Sequence, residues 1–216
     1  MTSTIRPHDL YRIGPAGVAS ILMEAPGWVA AALNDAPYVV GTRSLAPARM
    51  AAIGVRGGSR GERFGAMVPL DHLLERTTPE FLATRAREAS PRRAEIPALR
   101  ALGDLATELD GSGCAWGPVG SVGFELATGR PTATPTSDLD LVLYCPQRLS
   151  KRAARQLARA MVSGDCRVDI LVETPAGAIS LGDFAHADGE VLLRTPLGPQ
   201  LVDDAWASVS PAAALP

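Results

Sequence analysis

The sequence contains almost no lysine: Lys151 is the only one, so nearly all of the positive charge is arginine. Acidic residues slightly outnumber basic residues, 23 against 21, which leaves a formal net charge of −2. Proteins that bind nucleic acid through bulk charge usually show a basic excess, and this chain has none. We therefore expect no nucleic-acid partner, although the planar guanidinium groups suit individual phosphates or carboxylates.

Long apolar runs and cysteines are also scarce. No stretch approaches the roughly 18 residues that a membrane helix needs, and the first residues, "MTSTIRPHDLYRIGP", lack the apolar core of a signal peptide. Cys114, Cys145 and Cys166 are widely spaced and form no CxxC pair, which indicates neither a disulfide framework nor a zinc site. These features predict a cytoplasmic protein with no membrane partner.

The composition, 46% apolar and 20% charged over 216 residues, is typical of a globular protein with one large or two small domains. In the first half, "PYVVGTR", "MAAIGVRG" and "GERFGAMVPL" have the pattern of strands. "PEFLATRAREA" begins with proline and predicts a helix, and the polar "SPRR" predicts a linker. We therefore predict a small β-rich N-terminal domain over residues 1–90, which we interpret as a recognition domain.

The second half, residues 91–216, alternates helix and strand patterns and predicts an α/β (α+β) fold. Apolar residues recur at helical spacing in "IPALRALGDLATELDG", and "SKRAARQLARAMVSG" is basic and amphipathic. "SVGFELATG" predicts a short helix with Ser121 as N-cap and Gly129 as C-cap. Strands are predicted at "CAWGPVG", 138–144, 167–173 and "EVLLRT". The tail, "SVSPAAALP", is expected to be loose.

Three aspartates stand on two of these predicted strands. Asp138 and Asp140 alternate along one strand and therefore face the same side, about 6.8 Å apart, and Asp169 lies in "RVDILVE". If the strands pair, three carboxylates converge. Two carboxylates about 7 Å apart repel by roughly 2–2.5 kcal/mol at an effective dielectric near 20, so arginines or divalent cations must offset them. Magnesium fits such all-oxygen ligands together with substrate phosphates.

The residues before these strands suggest a phosphate site. Gly120 and Ser121 stand at a predicted helix start, where free N–H groups and the helix dipole bind phosphate. Taken singly, an N-cap turn or a strand-end aspartate pair has an ordinary structural interpretation. The ordered set favours a phosphoryl-transfer site. "GPVGSVG" lacks the spacing of a dinucleotide-binding loop, and no Walker lysine follows it.

The order of Gly-Ser, then D-x-D, then a lone aspartate on a later strand resembles the DNA polymerase β-like nucleotidyltransferase superfamily. Longer stretches are more specific: "RPHDLYRI", "GVRGGSRGERFG", "WGPVGSVGFELATG", "SDLDLVL", "RVDILVE" and "LLRTPLGP". Together they resemble phosphoribosyl-dephospho-CoA transferase, the holo-acyl-carrier-protein synthase of malonate decarboxylase, over nearly the whole chain. The resemblance implies that residues 91–216 form a nucleotidyltransferase-like catalytic domain with a mixed sheet flanked by helices.

The resemblance also implies a reaction. A phosphoribosyl-dephospho-CoA group would pass from 2′-(5″-triphosphoribosyl)-3′-dephospho-CoA to a serine of the apo acyl carrier subunit of malonate decarboxylase, with release of diphosphate. Asp138 and Asp140 would bind two Mg²⁺ ions, with Mn²⁺ as an alternative, and Asp169 would complete the site of the ion that activates the serine. Gly120 and Ser121 would hold the leaving diphosphate.

Six further residues are candidates for contacts with the substrate or the carrier. Arg56, Arg60 and Arg63 would grip phosphates or an acidic carrier surface, or else decorate a solvated hairpin. Glu125 and Thr128 would touch the substrate or hold the turn, and Arg194 has the same two interpretations.

Two other functions stay open at this point. The chain could use another acceptor, such as the citrate lyase carrier protein or a small molecule, since surfaces outside the aspartates set the acceptor. It could also be a non-enzymatic relative that binds a carrier protein. The presence of all three aspartates argues against a non-enzymatic relative, because a protein without the activity has no reason to keep repelling carboxylates together.

Overall fold

The N-terminal half of the chain forms its own antiparallel sheet. The computed structural model describes residues 5–59, 61–88, 91–162 and 164–207. Within those residues the first sheet has five strands in the order β4-β3-β2-β1-β5, and every neighbouring pair is antiparallel. The strands are β1 Leu10–Ile13, β2 Tyr38–Gly41, β3 Met50–Arg56, β4 Arg63–Pro69 and β5 Leu73–Thr77.

Two helices, α1 (Pro15–Leu22) and α2 (Gly27–Asp35), cover one face of this sheet. Because side chains alternate along a strand, the residues of β3 that face the helices, such as Ile53, are buried apolar residues. They form one core with Val29 of α2 and other apolar side chains. The opposite face of the sheet is left to meet the C-terminal half.

The C-terminal half forms a six-stranded sheet in the order β11-β10-β9-β8-β7-β6. β7 and β8 are parallel and the other neighbouring pairs are antiparallel. This mixed sheet with helices confirms the predicted α/β (α+β) fold class. Its elements in the described residues are α3 Pro79–Thr84, α4 Pro97–Asp110, β6 Ala115–Pro118, α5 Gly120–Thr128, β7 Leu139–Tyr144, α6 Lys151–Ala160, β8 Val168–Thr174, β9 Gly177–Ser180, α7 Leu181–His186, β10 Val191–Thr195 and β11 Gly198–Val202.

Local sequence explains where the longer helices begin and end. α4 has Pro97 in its first turn, which suits a position whose N–H would have no partner, and it ends at Gly111. Its predicted apolar stripe is buried in the C-terminal core. α6 begins after Ser150, whose side chain accepts a hydrogen bond from the N–H of Ala153. Both helices confirm the predictions made from their periodicity.

Helix α3 packs with the C-terminal sheet rather than with the strands that precede it. Its Leu82 is buried, and Gly117 of β6 approaches Pro79 so closely that a methyl group there would lie 1.9 Å from the Pro79 carbonyl oxygen. The two sheets therefore divide between β5 and α3, earlier than the boundary predicted at residue 90. Residue 90 of the predicted linker, residue 89 of the predicted helix before it, and the tail, residues 208–216, lie outside the described residues.

Cys114 and Cys145 form a disulfide, with their α-carbons 5.4 Å apart. The sequence-based expectation of no disulfide was therefore wrong. The pairing follows from the sheet: β6 and β7 are antiparallel with Ala115 opposite Tyr144, so the next residue outward on each strand meets the other. The two cysteines are 31 residues apart in the sequence, and that spacing alone does not predict that they pair. Among the described residues, no helix is long and apolar enough to cross a membrane.

Candidate active site

Asp140 and Asp169 stand directly opposite each other on the parallel strands β7 and β8. Neighbouring strands lie about 4.8 Å apart, so the two carboxylates are neighbours near the beginnings of their strands. Asp138 immediately precedes β7 and lies outside the strand. On the other side, Leu139 and Leu141 are buried in the core. The sequence alone could not show whether these two strands pair; in the structure they do.

The charge of Asp169 is partly offset by a neighbour on its own side of the sheet. Arg167 Nε donates a hydrogen bond to Asp169 Oδ1 over 2.9 Å, and both side chains are substantially exposed, 72% and 44%. At an effective dielectric near 20, two carboxylates about 5 Å apart repel by about 3 kcal/mol, less where water screens them. One exposed ion pair contributes about 0–1 kcal/mol. The ion pair with Arg167 therefore offsets only a small part of the charge that Asp169 brings to the site.

Gly120 is the first residue of α5, and it lies against the carboxylate of Asp140. Its φ is +63°, and a methyl group on it would lie 2.1 Å from Asp140 Oδ2. The N–H of Val119 donates to the Asp140 carbonyl over 2.9 Å, which fixes the helix start against β7. Only glycine satisfies both the left-handed backbone and the close approach. The start of α5 therefore packs directly against Asp140.

Ser121 is not the N-cap of this helix, contrary to the prediction. The N-cap is Val119, and no side chain caps the helix there. Ser121 lies in the first turn, where its carbonyl accepts a hydrogen bond from Thr132 Oγ1. The left-handed Gly120 starts the helix two residues earlier than the serine pattern indicates. Gly129 does end the helix in the left-handed conformation, as predicted.

A cleft of about 830 Å³ lies between the two halves and includes the carboxylates in its wall. Of the five residues predicted for phosphoryl transfer, Asp140, Asp169 and Gly120 line it, whereas Asp138 and Ser121 adjoin lining residues in the chain. Its volume is within the range of small-molecule sites, about 300–1,000 Å³. The geometry suits a substrate held between the halves.

Of the residues predicted to contact the substrate or the carrier, some line the cleft and others do not. Arg56, Arg63 and Arg194 line the cleft, and Arg60 lies outside the described residues. Thr128 Oγ1 donates to the Phe124 carbonyl and accepts from the N–H of Arg130, so it closes the end of α5.

Glu125 is buried and holds the loop that leads to the aspartates. It accepts hydrogen bonds from Arg92 and, over 2.8 Å, from the N–H of Ala133. Arg92 in turn donates to the Ala133 carbonyl. Of its two predicted interpretations, these contacts support holding the turn.

Glu173 stands on the same face of β8 as Asp169 and joins the two halves. It accepts two hydrogen bonds from Arg43, of 2.7 and 2.5 Å, and lies 3.0 Å from His8 Nε2. Burial alone would raise the pKa of the Glu173 carboxyl, but hydrogen bonds from Arg43 and His8 outweigh it and hold the pKa below the ordinary value. Glu173 is therefore ion-paired with a residue of the N-terminal half.

A second ion-pair group closes the same interface. Arg6 donates to Glu80 of α3 over 2.6 Å and to the fully buried Asp9 over 2.8 Å, and its guanidinium lies 4.1 Å from the ring centre of Tyr144. Burial opposes the charge on Arg6, but the hydrogen bonds to Glu80 and Asp9 keep its pKa above the ordinary value. Burial also disfavours the charged form of Tyr144, and it therefore raises the pKa of that hydroxyl.

The arginines that pair with these carboxylates were not predicted from the sequence. The two-residue spacing of Arg167 and Asp169 on one strand was a readable signal, since alternation puts both on one face. Arg43 and Glu173 are separated by 130 positions, and no local pattern connects them. Ser180 and Asp183 also line the cleft and belong to elements that the sequence did not predict.

The donor atoms fit a divalent cation that shares its shell with substrate. Within the part of the chain that the structure describes, no group of three or more His, Cys, Asp or Glu side chains forms a ready metal site. Magnesium is usually held by one or two carboxylates together with water and substrate phosphates, not by a cage made only of protein. Two facing aspartates next to a glycine, at a cleft open to substrate, meet that requirement.

The fold and this site define an α/β protein of two halves, with a carboxylate pair and arginines facing a shared cleft. The N-terminal half, residues 6–79, matches the family model "Phosphoribosyl-dephospho-CoA transferase MdcG N-terminal domain". Residues 82–205 match the corresponding C-terminal domain model. The chain therefore belongs to the phosphoribosyl-dephospho-CoA transferase family, which confirms the resemblance drawn from its motifs.

Relatives with that name are similar over nearly the whole chain. A phosphoribosyl-dephospho-CoA transferase of Pseudomonas putida strain GB-1 is 39% identical over 208 residues, covering 96% of this chain and 98% of the relative. The protein of that name from Pseudomonas aeruginosa is 40% identical over 201 residues, 93% of each chain. That from Azotobacter vinelandii is 37% identical over 209 residues, 95% of this chain and 96% of the relative. No solved structure matches the chain significantly.

Proposed function

We propose that this protein transfers a phosphoribosyl-dephospho-CoA group from 2′-(5″-triphosphoribosyl)-3′-dephospho-CoA to a serine of the apo acyl carrier subunit of malonate decarboxylase. The observation that carries the proposal is the direct pairing of Asp140 with Asp169 at the cleft, beside Gly120. Family membership supplies the group transferred. The carboxylate pair supplies a reason for a phosphoryl-transfer reaction at this place.

In the proposed reaction the serine oxygen forms a bond to the phosphorus that carries the ribosyl group. The bond from that phosphorus to the departing diphosphate breaks, and the serine proton is lost to solvent. The first turn of α5, from Gly120, directs backbone N–H groups toward the developing negative charge. Gly120 also keeps the helix start close to Asp140, so that the phosphate site and the carboxylates are held together.

Asp140 and Asp169, with Asp138 at the start of β7, would hold two Mg²⁺ ions, or Mn²⁺ in their place. When bound, such ions would polarise the phosphoryl oxygens and favour the alkoxide form of the serine. The chain itself contributes orientation: β7 and β8 set the separation of Asp140 and Asp169 through their register. Arg167, hydrogen-bonded to Asp169, restricts where that carboxylate points.

The proposal places the enzyme in the cytoplasm with its carrier subunit. The disulfide between Cys114 and Cys145 lies at the far ends of β6 and β7 from Pro118 and Asp140, away from the site.

The test is an intact-mass assay of the carrier subunit after incubation with enzyme, Mg²⁺ and the triphosphoribosyl donor. We expect the carrier to gain the mass of the phosphoribosyl-dephospho-CoA group, and a carrier whose acceptor serine is changed to alanine to gain nothing. Asp140→Asn should slow the transfer about a thousandfold or more. Asp188→Asn is the matched control, because Asp188 is exposed and outside the cleft.

Three results would contradict parts of the proposal. No mass gain with folded enzyme and verified donor would overturn the transfer reaction. A gain on a citrate lyase carrier but not on the malonate decarboxylase carrier would keep the reaction and change the acceptor. Full activity of Asp140→Asn would remove the aspartate pair from the mechanism.

A further inference from the structure

The outer hairpin of the C-terminal sheet, β10 and β11, carries apolar side chains on both of its faces. Val191 and Leu193 face inward and are buried in the C-terminal core. On the opposite face Leu192 is 45% exposed, and Leu201, its direct partner on β11, is 64% exposed. An antiparallel hairpin with one face in the core normally has polar side chains on the other. Two exposed leucines that stand side by side are instead typical of a contact surface.

The exposed face of this hairpin is the same face of the sheet that forms the cleft. Arg194 is opposite Ala178 of β9, and Ala178 is opposite Glu173 of β8. Residues paired in this way lie on one face, and Glu173 shares its face with Asp169 because the two alternate along β8. Arg194 also lines the cleft. The face that carries the aspartates therefore continues, strand by strand, onto the hairpin.

The N-terminal half covers only part of this face. At β8 its residues Arg43 and His8 contact Glu173, and at β9 Ala178 is fully buried. On β10 Arg194 is exposed, as are the two leucines of the hairpin. The cover therefore ends at β9, and the hairpin is left open beside the cleft.

Arg194 stands between the cleft and the exposed leucines. In the part of the chain that the structure describes, its side chain has no hydrogen bond or ion pair. Arg43 and Arg167, which also line the cleft, are by contrast hydrogen-bonded to carboxylates. The partner of Arg194 on β11 is Pro199, which is apolar. An occupant of this face would therefore be apolar at its centre and would bring an acidic group toward Arg194.

We infer that Leu192, Arg194, Pro199 and Leu201, here called the hairpin face, are the surface on which the acceptor protein docks. This inference rests on the proposed function, in which a carrier subunit presents a serine to the aspartates. The hairpin face would hold that carrier through an apolar patch with an acidic residue at its edge. The serine would then project from the docked carrier into the cleft.

The hairpin face is close enough to the aspartates for one docked protein to reach both. β10 is two strands from β8, which is a distance of about 10 Å. The cleft itself, of about 830 Å³, has the size of a small-molecule site. A folded acceptor protein must therefore be held outside it, and the hairpin face is an apolar surface directly beside it.

A second copy of this chain suits the hairpin face less well. β11 is the last strand of its sheet, and Pro199 on this strand has no N–H with which to extend the sheet into another molecule. Two copies that met through their leucines would also stand over the opening that the acceptor serine has to enter.

The experiment measures binding of the carrier subunit, with its acceptor serine changed to alanine, by calorimetric titration in the absence of donor. We expect Leu192→Thr and Leu201→Thr each to weaken binding about tenfold or more, because each removes apolar contact. Threonine suits a strand, so both variants should fold. Arg194→Gln should weaken binding and reduce its dependence on salt. Leu74→Thr is the matched control, since Leu74 is a leucine of β5 that is 53% exposed and outside the wall of the cleft.

Kinetic measurements separate docking from donor binding. In the intact-mass assay the two leucine variants should raise the KM for the carrier about tenfold or more, because they remove binding that is the same in the ground state and the transition state. The KM for the donor should stay near that of the unchanged protein. A merely structural role of the leucines would change both values together.

Three results would overturn the inference. The first is that the unchanged protein does not bind the carrier, and the second is that the folded leucine variants bind it as tightly as the unchanged protein. The third is that the unchanged protein sediments as a dimer that Leu201→Thr dissociates, which would assign the hairpin face to a second copy. Carrier binding that depends on the leucines, without any transfer, would refute the proposed function alone. Thermal unfolding checks the folding of each variant, so weak binding by an unfolded variant is not counted.

Discussion

Asp169 and Glu173 stand on the same face of β8, one at the cleft and the other in the ion pairs that join the two halves. Four residues of strand separate them by about 13 Å. A single strand therefore carries both a candidate catalytic carboxylate and the anchor that holds the N-terminal wall of the cleft. A substitution at Glu173 should therefore change the position of that wall and leave the aspartates where they are.

Glu173→Gln should destabilise the protein at neutral pH. Replacing the charged partner of Arg43 leaves a half-buried guanidinium without its carboxylate, and we expect the free energy of unfolding to fall by about 2–3 kcal/mol. Urea unfolding followed by circular dichroism measures this change. Glu190→Gln, at an exposed loop position, is the control and should change stability by less than about 0.5 kcal/mol.

The same pair predicts a pH dependence. The pKa of Glu173 is lower in the folded protein than its ordinary value of 4.5, since the hydrogen bonds from Arg43 and His8 outweigh burial. A depressed carboxyl pKa contributes stability that is present above the unfolded pKa and is lost as pH falls through the folded pKa. The difference in stability between the unchanged protein and Glu173→Gln should therefore shrink below about pH 4.5. A constant difference down to pH 3 would contradict this assignment.

Gly120→Ala should impair transfer more than its effect on stability explains. Alanine at positive φ costs about 1–2 kcal/mol, and its methyl group would also displace the Asp140 carboxylate. We expect activity to fall about a hundredfold, as for a catalytic group misplaced by about 1 Å. Gly129→Ala is the control, because Gly129 has φ +72° with nothing near its missing methyl group. Equal activity in the two variants would show that the contact with Asp140 is not functional.

Glu125→Ala should lower stability and leave donor recognition intact. Glu125 accepts hydrogen bonds from Arg92 and the N–H of Ala133 in a buried place, so its removal should cost about 3 kcal/mol. Thermal unfolding and the KM for the donor, measured below the unfolding temperature, separate the two effects. A KM raised manyfold with unchanged stability would instead place Glu125 at the substrate.

Mg²⁺ should stabilise the protein through the facing aspartates. At a concentration ten times its Kd, a ligand stabilises by about 1.4 kcal/mol, which corresponds to a Tm increase of roughly 3–5 °C at this chain length. Differential scanning fluorimetry with Mg²⁺ or Mn²⁺ should show this shift, and Asp140→Asn should lose it. An equal shift in Asp140→Asn would place the ion elsewhere, and Asp188→Asn again serves as the control.

The sequence predicted those elements that carry a strong local pattern. The apolar stripe of α4, the amphipathic α6 and the alternating strands β7 and β8 were all recognisable, because burial of one face imposes a period of 3.6 or 2. The four-residue β1 and β9 and the short helix α7 were not predicted. Segments this short have too few residues to show a period, and their structure depends on neighbouring strands.

The sequence by itself determined that Asp138 and Asp140 stand close together in the chain, that glycine precedes a helix near them, and to which family the chain is similar. These properties depend on residues close together in the chain. Only the tertiary structure decided that Asp140 faces Asp169, that Arg56 faces Arg63 across the cleft from them, and that Glu173 receives Arg43 from the other half. Register and packing between distant segments set these contacts, because they are fixed by the burial of whole faces rather than by any local pattern.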